Sequence, residues 1–206
     1  MIRQRGNPFS LPNLLTYARI AAVPAIVAIL FWSKEESMRW WALAFFVVAA
    51  VTDYFDGYFA RAWHQYSAIG RMLDPIADKL LVAAILLMLA ADGTIASFSL
   101  WAAIIILCRE ILVSGLREFL AELRVSVPVT KIAKWKTTAQ LVAMGFLIAG
   151  PAGDSILPVD WTQNIGLLLL WIAAALTLYT GWDYFRSGIK HLIAEDEKTD
   201  KDTKTS

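Results

Sequence analysis

Two apolar runs in this chain stop short of the length a bilayer demands and reach it only by taking in aspartates. From Trp40 to Thr52 no residue is charged, but that run is 13 residues long, and a membrane-spanning helix needs about 20. It crosses only if it continues through Asp53 and Asp56 to Ala60. The run from Leu80 to Ala91 has 12 residues, and it crosses only if it begins at Leu73 and includes Asp74 and Asp78. A carboxylate at membrane depth costs about 3 kcal/mol or more. A chain that places four of them there has a use for them.

The bilayer itself is read from composition. Of 206 residues, 58% are hydrophobic and 18% charged, against roughly a quarter charged in soluble proteins. Six apolar segments, near 14–32, 39–60, 73–91, 97–116, 137–152 and 163–183, are separated by short polar breaks. The expected fold is therefore all-α, a polytopic membrane protein of six transmembrane helices in one domain over 1–190. A polar tail over 191–206 is expected to be disordered. The basic start is followed by an apolar stretch that carries Arg19 and Pro24 and lacks a small-residue cleavage site, so it reads as structure and not as a cleaved signal. The net charge of +1 leaves no electrostatic footprint for nucleic acid. The single cysteine, Cys108, excludes an internal disulfide and a Cys-pair zinc site.

Orientation follows from the basic residues, which favour the cytoplasmic side. With both termini cytoplasmic, that side holds Arg3, Arg5, Arg61, Arg71, Arg124, Lys131, Lys134, Lys136, Arg186 and Lys190, and the far side holds only Lys34 and Arg39. Trp32, Trp40, Trp41 and Trp161 then fall at the outer interface, and Trp63 and Trp135 at the inner one.

Depth can be counted at about 1.5 Å per helical residue. Asp53 lies roughly 20 Å from the Trp40 end and Asp56 roughly 24 Å; counted back from Ala91, Asp78 lies roughly 20 Å in and Asp74 roughly 26 Å. In antiparallel helices Asp53 thus levels with Asp78, and Asp56 with Asp74, in the cytoplasmic third of the membrane. The spacings i, i+3 and i, i+4 put each pair on one helix face. Converged carboxylates need protons or cations for neutralisation. Oxygen-only ligands select hard divalent ions such as Mg2+ or Mn2+, and four suit a two-metal site of the kind that serves phosphoryl chemistry. The competing readings are ion pairing with Arg61, Arg71 and Lys79, or a cation- or proton-coupled transport pathway. A transporter often has interrupted segments at corresponding positions of two halves, and no such symmetry is visible here.

Asp53-x-x-Asp56-Gly57-x-x-Ala60-Arg61, eight residues, then Gly70-x-x-x-Asp74-x-x-x-Asp78 resembles the CDP-alcohol phosphatidyltransferase signature at all eight fixed positions. Leu11 to Arg19 is similar to that family's amphipathic entry segment. Arg109-Glu110-Ile111, Leu116-Arg117-Glu118 and Lys134 to Gln140 resemble its bacterial branch that uses glycerol 3-phosphate and forms phosphatidylglycerophosphate. The resemblance spans roughly residues 11 to 186 and implies six transmembrane helices, a homodimer and a cytoplasm-facing cavity in the bacterial inner membrane. It implies CDP-diacylglycerol as donor, glycerol 3-phosphate as acceptor and CMP as leaving group. Asp53, Asp56, Asp74 and Asp78 would ligate the metals, with Asp78 also the general base. Gly57, Ala60, Arg61 and Gly70, with Asn13 and Thr16, would line the CDP site. The acceptor phosphate calls for a second set of cations. Arg109, roughly 18 Å into its segment and level with Asp53 and Asp78, is either their counter-ion or a phosphate clamp. Arg117, Lys134 and Lys136 lie nearer the cytoplasm and complete the set. Within the same fold other acceptors stay open: phosphatidylglycerol, which would give cardiolipin, or an inositol or serine acceptor.

Overall fold

The computed structural model describes residues 10–32, 35–63, 68–122 and 131–204; inside these, the side chains of 12, 53–63, 68, 71, 122, 131–134, 187 and 190–204 are outside the description. The described residues form six α-helices: α1 Leu11–Trp32, α2 Glu36–Trp63, α3 Ala68–Ala91, α4 Leu100–Glu122, α5 Lys131–Ala149 and α6 Trp161–Lys204. Short 3-10 turns at Ser97–Ser99 and Gly150–Ser155 lead into α4 and out of α5. The six apolar segments match the six helices one to one, the fourth and fifth running into the adjoining 3-10 turns. At about 1.5 Å per residue even α5, with 19 residues, is roughly as long as a hydrocarbon core is thick.

Three of the helices carry stretches long and apolar enough to cross a membrane, Asn13–Trp32, Ser97–Ala121 and Trp161–Arg186. α2, α3 and α5 hold the charged residues that lower their hydropathy. The outer surface is that of a lipid-facing protein: Trp41, Val48, Leu87, Ile111, Leu168 and Trp182 are all exposed, far more apolar surface than a soluble monomer leaves in water. The interior is built from small residues at helix contacts, among them Ala42, Ala49, Ala102, Ala103, Ala143, Ala173 and Ala174, which let the helices approach closely. Gly166 lies where an added Cβ would fall 2.8 Å from the Leu147 side chain, so α5 and α6 touch there.

The helices alternate in direction. The start of α1 meets the start of α3 through Thr16 and Asp74, and the start of α2 meets the end of α5 through Arg39 and Ile148. α1 packs against both α2 and α3, and α6 packs against α4 and α5. The entry segment is amphipathic in an inverted sense. Asn13, Thr16 and Arg19 are buried, whereas Leu11 and Leu14 are exposed. The backbone of α6 is helical to Lys204. Beyond Gly188 no glycine or proline interrupts it, and mixed-sign charges are compatible with a solvated helix.

Candidate active site

The site is built on the polar stripe of α1. Asn13, Thr16 and Arg19 recur every three residues and so share a face. Thr16 Oγ1 donates to Asp74 Oδ1 at 2.6 Å, and Arg19 Nη1 donates to Asp78 Oδ1 at 3.1 Å. Asp74 and Asp78 are one turn apart on α3, so two successive turns of α1 hold two successive carboxylates. The pairing is asymmetric: the Arg19 side chain is 0% exposed and that of Asp78 is 55% exposed. A guanidinium taken wholly out of solvent is costly unless a counter-charge receives it. Here it fixes a carboxylate that remains open to the cavity. Gly70, buried one turn before Asp74, brings bare backbone to the same end of α3.

Beyond Asp78 lies a cavity of about 130 Å³ whose polar walls include Arg19, Asp78, Lys79, Glu110, Lys136 and Gln140. Lys136 is 5% exposed, and its ammonium donates to Glu110 Oε1. Lys79 donates to Ser114 Oγ on α4, the hydroxyl that in turn reaches Glu118 at 3.4 Å. The ammonium nearest in sequence to the carboxylates of α3 is thus engaged elsewhere. The donors that α3 offers are carboxylate oxygens, without thiolate or imidazole, and that set fits a hard divalent cation.

The remaining basic residues are placed differently. Arg109 Nε donates to the Thr177 carbonyl at 3.1 Å and Nη2 to Thr180 Oγ1 at 3.1 Å, both on α6. Its Nη1 stands 3.6 Å from Glu110 Oε1. Its side chain passes over Gly181, where a Cβ would meet its Cγ at 3.0 Å. Arg109 therefore contributes to an apolar cleft of about 560 Å³ between α4 and α6 and, among the described residues, meets the Asp78 cavity through Glu110. Arg117 lies over the Tyr184 ring at 5.8 Å, where it gains a cation–π contact. The structure thus brings together Asn13, Thr16, Gly70, Asp74 and Asp78 at one end of α1 and α3, with Lys136 across the cavity, and turns Arg109 and Arg117 toward α6. The α2 backbone is helical through Asp53, Asp56, Gly57, Ala60 and Arg61, which keeps the i, i+3 spacing of the first pair. The side chains of those five residues and of Lys134 lie outside the described residues.

Arg19, Glu110 and Gln140 also line the cavity, although the sequence pattern does not single them out as site residues. For Arg19 a signal exists, since it continues the spacing of Asn13 and Thr16 inside an apolar segment. For Glu110 and Gln140 only the contact with Lys136 and the placement of α5 against the cavity reveal it.

The sequence of residues 9–179 matches the family model for CDP-alcohol phosphatidyltransferase, and the chain belongs to that family, a family of transferases that generally uses divalent metal ions. Among its relatives is a CDP-diacylglycerol--glycerol-3-phosphate 3-phosphatidyltransferase of Cereibacter sphaeroides, 40% identical over 92% of this chain and 99% of that protein. A protein of the same name from Rickettsia bellii is 45% identical over 88% of this chain and 97% of its own length. Another from Shigella flexneri is 38% identical over 90% and 98%. The apolar helices and the family together make the chain an integral membrane protein.

Proposed function

We propose that this protein transfers the phosphatidyl group of CDP-diacylglycerol to glycerol 3-phosphate, forming phosphatidylglycerophosphate and releasing CMP in phospholipid biosynthesis. The observation that carries this reading is the presentation of Asp74 and Asp78 by Thr16 and Arg19, with Asp78 and the buried Lys136 lining one cavity. An anionic acceptor alcohol needs such a place, with a proton acceptor at one end and a cation at the other. The relatives' names point the same way.

In this reading Asp78 accepts the proton of the acceptor's primary hydroxyl. The acceptor oxygen then bonds to the lipid-bearing phosphorus as the bond from that phosphorus to the CMP oxygen breaks. Arg19 keeps the Asp78 carboxylate aimed into the cavity. Asn13, Thr16, Gly57, Ala60, Arg61 and Gly70 form the wall for the nucleotide and diphosphate. Lys136 holds the acceptor phosphate, and Lys134, Arg109 and Arg117 form the wider basic set that draws it toward the site. Asp53, Asp56, Asp74 and Asp78 would hold two divalent ions, Mg2+ or Mn2+, which when bound offset the charge of the donor diphosphate. The helix lengths and the positive-inside charge bias support six crossings with both termini cytoplasmic, a single domain over 1–190, and a site facing the cytoplasm in a bacterial inner membrane. A homodimer is the assembly proposed.

The test is release of CMP from CDP-diacylglycerol by the purified protein in detergent or vesicles. Release is expected only with glycerol 3-phosphate and a divalent cation present. Release with phosphatidylglycerol, inositol or serine acceptors instead would overturn the acceptor assignment. No release with any alcohol would overturn the transferase reading and favour a cation- or proton-coupled transporter.

A further inference from the structure

Gln140 is an unexplained polar residue of the cavity. It is 4% exposed, it lines the same space as Asp78 and Lys136, and its Oε1 is buried with no hydrogen-bond partner among the described residues. A buried acceptor left unsatisfied carries a penalty that a ligand hydroxyl can remove. The residue is one helical turn from Lys136, so the two side chains emerge from the same face of α5.

The cavity's other polar groups narrow what this oxygen can receive. A carbonyl oxygen accepts only, so its partner must bring an O–H or N–H. Of the acceptor's three polar groups, the ionised phosphate has no hydrogen to give and belongs with Lys136. The primary hydroxyl gives its proton to Asp78. The secondary hydroxyl on the carbon between them remains. Glu110, the other carboxylate on this wall, is already engaged by Lys136 and stands 3.6 Å from Arg109.

We infer that Gln140 is a specificity-determining residue whose amide oxygen accepts a hydrogen bond from the secondary hydroxyl of the three-carbon phosphate acceptor, so that the site selects a glycerol phosphate over its deoxy analogue. This rests on the proposed use of glycerol 3-phosphate and adds the group by which that acceptor is told from simpler ones.

The measurement is kcat/KM for glycerol 3-phosphate against 3-hydroxypropyl phosphate, which lacks only the secondary hydroxyl. The native enzyme is expected to prefer the former by roughly 10- to 100-fold, the range expected when a buried acceptor is left without its partner. Gln140→Met, similar in length and apolar, is expected to bring the ratio close to one. Gln140→Glu, which keeps an acceptor oxygen at that position, is expected to keep a preference. The ratio is internal to each enzyme preparation, so partial misfolding does not move it. A native ratio near one overturns the inference whatever the variants do, as does a Met variant that keeps the native preference. Turnover with neither phosphate, alongside turnover with a different alcohol, overturns the acceptor reading first and this inference with it.

Discussion

Arginine anchors a polar network at each end of the helix bundle, and the two networks are built to opposite ends. At one end Arg39 donates to the carbonyls of Leu147 and Ile148 at 3.4 and 3.2 Å, to Asp92 Oδ2 at 2.6 Å and to Thr94 Oγ1 at 3.3 Å. Asp92 Oδ1 in turn receives the Thr94 N–H at 2.9 Å, and the Thr94 carbonyl receives Gln163 Nε2 at 3.0 Å. The last carbonyls of a helix lack intrahelical partners, and one guanidinium satisfies two of those of α5 while tying α2, α3 and α5 together. At the other end Arg19 is more deeply buried, yet the carboxylate it holds stays mostly open, and the nearby Gln140 oxygen has no partner among the described residues. The closed network pairs its cation and carboxylate with each other and with the backbone, and it ties the fold together. The open one leaves polar groups facing a cavity, as the proposed transfer requires.

That contrast makes different demands on substitution at the two ends. The largest effect is expected from Asp78→Asn, which keeps the shape and removes the proton acceptor. Turnover should fall by about 10²–10⁴, and the thermal midpoint should fall as well, because the wholly buried Arg19 loses its counter-charge. CMP release and a melting curve on the same preparation check both halves. Turnover within about tenfold of native would show that the open carboxylate is not the base.

Lys136→Gln comes next. A charge-assisted contact is worth about 1.5–3 kcal/mol, so KM for glycerol 3-phosphate should rise roughly 10- to 100-fold with KM for CDP-diacylglycerol nearly unchanged. Initial-rate kinetics in both substrates separate the two. Equal rises would mean that Lys136 supports the whole site and not the acceptor alone.

Arg39→Ala should invert this pattern. Loss of its hydrogen bonds is expected to cost about 1–3 kcal/mol, a fall in melting temperature of roughly 3–10 °C for a chain of this size. Turnover measured well below the transition should stay within about twofold, since ~0.4 kcal/mol or less would then reach the transition state. Lost turnover with an unchanged melting temperature would erase the distinction between the two ends.

Much of the open end is legible in the sequence, and the reason is energetic. Charges in apolar runs are so costly that Asp53, Asp56, Asp74 and Asp78 announce themselves, and the alternation of apolar segments with polar breaks delimits six helices. What is not legible depends on which faces meet. Arg39 reads as one of two lone cations on the outer side, and only the fold shows it capping α5. Arg109 reads as level with the aspartates, which is a matter of depth. Rotation about the α4 axis sends it to Thr177 and Thr180 instead, and depth counting carries no information about rotation. Gln140 has no charge to betray it in a helix that also holds Thr137 and Thr138. Its meaning comes from the missing partner, a property of packing alone.

The subtlest change isolates one atom of the closed network. Gly150 ends α5 with φ +46, a left-handed conformation that costs a residue with a Cβ about 1–2 kcal/mol. An added Cβ would also stand 2.6 Å from Arg39 Nη1, so the guanidinium must swing off the Leu147 and Ile148 carbonyls. Gly150→Ala should therefore lower the melting temperature by roughly 3–8 °C and leave turnover below the transition unchanged. The two contributions separate in an Arg39→Ala background, where there is no guanidinium to displace and only the backbone strain remains. The double variant should be less destabilised than the sum of the single changes, a coupling on the order of 1 kcal/mol that thermal or denaturant melting in detergent can resolve. Strict additivity would mean that Gly150 is needed for its backbone alone, and that the clasp tolerates a side chain beside it.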